Sequence, residues 1–196
     1  MDRQDTLYDQ LKSQMMAVAH FAPQELAQVF SYFEIQTCAK KSHLLEAGSI
    51  SKKLYFVIEG LVRVYYLREG KEVTTYLACD ASFVSSYSSF LNQSPSVESI
   101  QCIEDTKVLS ITHAHMQVLY QAIPQWQVVG RILAEQNYLC MADRLLKLQM
   151  IPAKEKYLRF LETAAPKIIQ RTPLIHIASF LGITQESLSR IRKSIS

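Results

Sequence analysis

The stretch Leu174–Ile195, LIHIASFLGITQESLSRIRKSI, constrains what this chain can fold into more than any other. Leu174, Ile175, Ala178 and Leu181 recur at the spacing of one helix face. Gly182 then stops that helix, because glycine enters the left-handed conformation after a helix without steric cost. Thr184 is a natural N-cap for a second helix, and Glu186 lies in its first turn, where the helix dipole favours an acid. The second helix buries Leu188 and Ile191 and leaves Gln185, Glu186, Ser189, Arg190 and Lys193 for the opposite side. Two short helices joined by a tight glycine turn form either an ordinary αα-corner or a helix-turn-helix.

Side-chain chemistry and charge separate these readings. Gln and Arg are the residue types that reach base edges with two hydrogen bonds, Gln to adenine and Arg to guanine. Residues 151–196 hold eight Lys/Arg and three Asp/Glu, whereas the other 150 residues hold thirteen and fifteen. The positive excess therefore lies on the segment that would face phosphates.

A length of 196 residues suits one large or two small domains, and 48% hydrophobic residues suffice for a substantial core. The opening MDRQDTLYDQLKSQ is polar and acid-bearing, unlike a signal peptide, and no apolar run reaches the roughly 18 residues of a membrane span, so a cytoplasmic location with no membrane partner is expected. Cys38, Cys79, Cys102 and Cys140 are scattered without a CxxC pair and read as buried free thiols. No metal, catalytic or cofactor site is expected.

Along the chain, residues 5–18 predict a helix with Leu7, Leu11 and Met15 on one face, and residues 23–33 a second helix with Pro23 at its first turn. From about 35 to 111 the pattern is β. Lys53–Ile58, Leu61–Leu67, Val73–Leu77, Ser99–Ile103 and Lys107–Ile111 are candidate strands, and Arg68-Glu69-Gly70-Lys71 is a hairpin turn. Many short strands at turn-punctuated intervals indicate a jelly roll or barrel. The Ser-rich segment from Ser82 to Ser99 is either a surface connection or a ligand loop. The aromatic residues Tyr55, Phe56, Tyr65, Tyr76 and Phe83 fit a packed core or the wall of an apolar ligand site.

Residues 124–150 predict the longest helix, about 40 Å at 1.5 Å per residue. Val129, Ile132, Leu139 and Leu146, with Gln136 and Asp143, form a stripe along it, ending near Met150. A helix packed only within its own chain is one reading. A two-fold partner helix is the more economical cover for so long a stripe. Ile151-Pro152-Ala153 breaks it and marks a hinge. Residues 153–163 are a further helix.

This order of elements resembles the cyclic-AMP receptor protein/fumarate-nitrate regulator (Crp/Fnr) family of bacterial transcription factors. The resemblance rests on Leu44–Gly48 with Leu54–Val64, on Ser82–Leu91 with Ile103–Thr106, and on Ile177–Ile191. It implies an α+β fold. Residues 1–150 would be a cyclic nucleotide-binding-like β-roll (double-stranded β-helix, or jelly roll) sensor carrying a dimerisation helix at about 124–150. Residues 151–196 would be a helix-turn-helix domain lacking a full wing, since only Ser194-Ile195-Ser196 follow Lys193. It further implies a homodimer on double-stranded DNA, with RNA polymerase as a further partner. The dimer interface would be Val129, Ile132, Gln136, Leu139, Asp143 and Leu146, and the DNA-binding residues Thr184, Gln185, Glu186, Ser189, Arg190 and Lys193. The effector pocket would take in Val84, Ser85, Ser86, Ser96 and Val97. Nucleotide-binding members hold the ribose with a Glu after a Gly and the cyclic phosphate with an Arg. The corresponding positions here read Ser85-Ser86 and Ser96-Val97, with Glu98 the nearest charge. The expectation is thus a sensor whose effector is not cyclic AMP, or that has none. The N-terminal cysteine cluster of fumarate-nitrate-type members is likewise missing.

Two other classes compete. A metal-dependent jelly-roll enzyme would use the His113-Ala114-His115 pair, but no acid follows until Glu135, and the pair reads as a helix start. A β-roll sensor acting through protein contacts, its DNA helix vestigial, would have a depleted basic face. Arg190, Arg192 and Lys193 argue against it.

Overall fold

The computed structural model describes residues 5–195. Residues 1–4 and Ser196 lie outside the described residues, and with them part of the stretch read as unlike a signal peptide and the last of the three residues after Lys193. Helices α1 (Asp5–Val18) and α2 (Pro23–Ser31) precede strands β1 (Glu34–Cys38), β2 (His43–Leu45), β3 (Lys53–Glu59), β4 (Leu61–Arg68), β5 (Lys71–Cys79) and β6 (Ser82–Val84). A short helix α3 (Tyr87–Asn92) leads to β7 (Glu98–Cys102) and β8 (Thr106–Thr112). The chain then runs through α4 (His113–Ala122), α5 (Pro124–Met150), α6 (Ala153–Thr163), α7 (Pro166–Arg171), α8 (Leu174–Leu181) and α9 (Gln185–Ile195). No described helix is long and apolar enough to cross a membrane.

The strands form two four-stranded antiparallel sheets, ordered β1-β8-β3-β6 and β2-β7-β4-β5. Val57, Val62, Val64, Ile100 and Val108 fill the space between them. The outer face of the first sheet is covered by helices: Leu54, Phe56, Leu109 and Ile111 pack against Leu11, Met15, Phe33 and Trp126. β3 is therefore apolar on both faces, which explains why Leu54–Ile58 reads as an unbroken hydrophobic run rather than an alternating one. A third core joins Leu77 of β5 to Tyr157, Phe160, Ile177, Ala178, Leu181 and Leu188, so the C-terminal helices dock on the second sheet.

Two turns fix the roll locally. Arg68 pairs with Lys71 across a two-residue loop in which Glu69 (φ 51°) and Gly70 (φ 74°) are both left-handed, the type I′ geometry that matches strand twist. Between β3 and β4, Gly60 (φ 132°) passes so close to Thr106 that a Cβ there would sit 2.7 Å from the Thr106 Cα. Gly60→Ala should therefore cost about 2–3 kcal/mol, from the strained φ and the backbone clash together, measured as a lowered urea midpoint with unchanged slope.

Several expectations are revised. The Ser82–Ser99 segment is no loose loop: Ser82–Val84 pairs with Val57–Tyr55 of β3, and Tyr87–Asn92 is helical. The second helix stops at Ser31, two residues early, with Tyr32 as its C-cap. α7 has no counterpart in the sequence reading. In α8 the buried isoleucine is Ile177, and Ile175 is exposed, because α8 turns its Ile177–Ala178–Leu181 face to β5. Three cysteines are buried as expected, but Cys140 is exposed, on the part of α5 that lines the half-open cavity at the mouth of the roll. Val129 is buried in its own chain beside Trp126, where α5 begins against α1 and the first sheet, so it is removed from the outward stripe.

Candidate nucleic-acid interface and effector cavity

The helix-turn-helix is built by local capping. Gly182 closes α8 at φ 66°, ψ 36°, and the Ile183 N–H reaches back to Ala178 O at 3.0 Å. Thr184 Oγ1 accepts the Ser187 N–H at 3.1 Å and caps α9. Leu188, wholly buried, pins α9 to α8 and α6. This leaves Thr184, Gln185, Glu186, Arg190 and Lys193 exposed and Ser189 half-buried, as amphipathic spacing requires. Glu186 and Arg190 stand one turn apart on the same side. The Glu186 carboxyl is held below its ordinary range by its own backbone N–H, then by the Thr184 hydroxyl, with Arg190 adding attraction. Arg190 Nη2 donates to Ser187 Oγ at 3.3 Å.

A half-open cavity of about 980 Å³ lies where α1, β6, α3 and α5 meet the mouth of the roll. Val84 and Ser85 line it, as do Thr75 and Glu98. Ser86 and Ser96 are buried behind this wall and hold Glu98 in place. Ser86 Oγ donates to Glu98 Oε2 at 2.9 Å, and Thr75 Oγ1 donates to Oε1 at 3.0 Å. Ser96 Oγ accepts the Glu98 N–H at 2.9 Å and lies 2.8 Å from Ser86 Oγ. A carboxylate thus stands next to Ser96, the position where the resemblance would place an anion-binding arginine. Val97 does not line the cavity. It is 78% exposed, because successive residues of an extended chain point to opposite sides and Ser96 and Glu98 take the inner one. Thr75, which the sequence reading passed over, is the extra residue of a β-bulge between Val64/Tyr65 and Tyr76/Thr74.

The bulge also touches the C-terminal helices. β5 is an edge strand, with main-chain groups that need partners. The Thr74 N–H donates to Ser179 Oγ of α8 (2.9 Å), and that hydroxyl donates to Glu72 O (3.0 Å). Arg144 of α5 donates to Thr74 O (3.0 Å) and lies over the Phe180 ring. Nearby, Arg63 of β4 is 3% exposed. It pairs with Glu72 (2.6 Å), donates through Nε and Nη2 to Gln101, covers the Tyr65 ring, and offers Nη1 to His176 Nδ1 of α8 at 2.9 Å. Burial first, and then the Arg63 charge, push the His176 imidazole down to about 4, so it is the neutral ring that accepts. Lys167 of α7 adds ion pairs to Asp80 and Glu104. Nothing in the sequence singled out Arg63 or His176, because their partners lie on distant elements.

On α5, Ile132 is half-buried at the cavity, and Gln136, Leu139, Asp143 and Leu146 are exposed. Together with Met150 they repeat at alternating spacings of three and four, the pattern of a helix–helix seam. The two histidines at the start of α4 face different neighbours: His113 meets Phe90 in an edge-to-face contact, and His115 lies tilted against Tyr32.

Together the two-sheet roll, the long helix and the helix-turn-helix define the fold of the Crp/Fnr transcriptional regulators. Residues 35–122 match the cyclic nucleotide-binding domain family. Among solved structures, FixK2 from Bradyrhizobium japonicum is similar at 17% identity, covering 83% of this chain and 84% of that one, with a TM-score of 0.73. A CooA variant from Carboxydothermus hydrogenoformans is similar at 19% identity, 90% and 85% coverage, and a TM-score of 0.68. A protein from Eubacterium rectale described as a transcriptional regulator of the crp/fnr family is similar at 16% identity, 89% and 83% coverage, and a TM-score of 0.67. No curated protein sequence matches the chain.

Proposed function

We propose that the protein is a homodimeric, DNA-binding transcriptional regulator of the Crp/Fnr type. In this reading residues 1–150 form the sensor with its dimerisation helix, and residues 151–196 form the DNA-binding domain. The exposed face of α9 carries the proposal: Gln185, Glu186 and Arg190 project together from a helix whose other side is anchored by Leu188. Thr184 and the first-turn N–H groups meet a phosphate, Gln185 pairs with adenine, Glu186 accepts from cytosine N4, and Arg190 grips guanine O6/N7. Ser189 flanks them, and Lys193, at the far end, contacts the backbone. Two-fold symmetry then spaces the half-sites about one helical turn apart. The effector is other than cyclic AMP, or there is none, because serine hydroxyls beside the Glu98 carboxylate stand where a cyclic phosphate needs a charge-assisted donor.

Selection on random duplex DNA, followed by binding of variants to the selected site, tests this. Arg190→Ala should cost about 1–3 kcal/mol and relax choice at one base pair per half-site. Lys193→Ala should weaken all sequences alike and lower the salt slope by about one. Unchanged affinity and base preference with Arg190→Ala would remove α9 as the reader, and absence of any salt-dependent DNA binding would favour a sensor acting through protein contacts.

A further inference from the structure

Glu98 is the sole charged side chain among the described residues lining the roll cavity. Tyr76, Phe83, Tyr87, Phe90 and Tyr120 are on its wall, and the rest of the lining is apolar or neutral. Burial is the main cause pushing the Tyr76, Tyr87 and Tyr120 hydroxyls up, so these rings stay neutral at physiological pH. Both Glu98 oxygens are positioned by hydroxyl donors, and no ion pair among the described residues engages it. A fixed carboxylate on the wall of a half-open cavity that also presents aromatic rings repels anions. It attracts a cation twice, through its own charge and through the negative faces of the rings.

We infer that the cavity binds an organic cation with a bulky apolar body, its charge set against Glu98 and its body among the aromatic and aliphatic side chains of α1, α3 and α5. The inference rests on the reading of the roll as the sensor and names the chemical class of its effector. The same charge arrangement that excludes a cyclic phosphate selects for the opposite sign. Thr75 and Ser86 act as positioning residues, holding the carboxylate toward the cavity.

Calorimetry on the full chain with tetraphenylphosphonium and tetraphenylborate tests this, because the two ions share a shape and differ in sign. The phosphonium should bind at least about 100-fold more tightly than the borate, and cyclic AMP should give no heat up to about 1 mM. Glu98→Gln should narrow the preference by about tenfold or more, and Glu98→Asp, which keeps the charge, should retain most of it. Equal binding of the two ions, binding of neither, or a preference that survives Glu98→Gln overturns the inference. The comparison on the unaltered protein decides the sign of the site even where Glu98→Gln does not fold. A protein that binds selected duplex DNA but not the phosphonium overturns this inference alone. One that binds the phosphonium but no DNA overturns the regulator reading alone.

Discussion

Replacing Leu139 and Leu146 together by Asp is expected to give monomers in sedimentation velocity and to cut affinity for an inverted-repeat site by two to four orders of magnitude. The outward side of α5 shows Tyr138, Leu139, Leu146 and Met150 at 56–74% exposure, a contiguous apolar strip that a monomer would leave in water. Covering each aliphatic side chain with a partner helix contributes about 2 kcal/mol, so two leucines on each of two protomers carry much of the association. The substitution removes that term and adds four carboxylates to a seam that already holds Asp143 twice. Loss of the dimer then removes the second half-site contact, which is worth about 10²–10⁴ in apparent affinity. Val129 is buried in its own chain, so the proposed seam would start at Ile132, and Val129→Asp should unfold the protein instead of dissociating it. A double variant that remains dimeric would place the interface elsewhere.

Arg63→Met is expected to destabilise the folded protein by about 2–4 kcal/mol in urea denaturation. The guanidinium is buried and serves Glu72, Gln101, His176 and the Tyr65 ring at once, and methionine restores only its aliphatic stem. Glu72 is 44% exposed and can rehydrate, which keeps the loss below that of a fully enclosed pair. The same junction responds to pH. With His176 held at about 4 in the docked structure and near 6.5 when released, the released or unfolded chain takes up the proton first. Docking is thus undiminished above pH 6.5 and weakens as pH falls from there toward 4. Glu72 and Arg63 are the charged groups facing the ring. His176→Gln isolates the histidine: between pH 7.5 and 5 its melting temperature should fall less than that of the unaltered protein. Equal falls would show that His176 does not control the junction.

Features set by neighbours along the chain were legible in the sequence. The α8–Gly182–Thr184–α9 corner is written in residues at most a few positions apart, and so is the break at Ile151-Pro152. Strands β3, β4, β5, β7 and β8 were legible for the same reason, as β-branched and aromatic runs between turns, whereas β1, β2 and β6 were not singled out. What depends on a partner far along the chain was not. Val129 fits the helical stripe as well as Leu139 does, and only the arrival of α1 and Trp126 beside it decides that it is interior. The bulge at Thr75 carries no glycine or proline to announce it. Arg63, one basic residue within an apolar strand, reads as an outward-facing side chain until α8 is folded across it. In the cavity, Ser86 and Ser96 were legible as departures from a nucleotide site. That their hydroxyl chain ends on Glu98 was not.

Strand β5 belongs to both halves of the molecule. Thr75 points its hydroxyl to Glu98 and the cavity, whereas the Thr74 N–H and carbonyl, one residue earlier, hold Ser179 and Arg144. In genetic terms these positions are pleiotropic. A substitution at either position that shifts the bulge moves the wall of the pocket and the mooring of α8 in a single step, so its phenotype should span both ligand response and operator binding. Changes at Ser86 or at Arg190 each fall on one side of that divide. Screens for altered ligand response and screens for altered operator binding should therefore share alleles at Thr74 and Thr75 and diverge elsewhere.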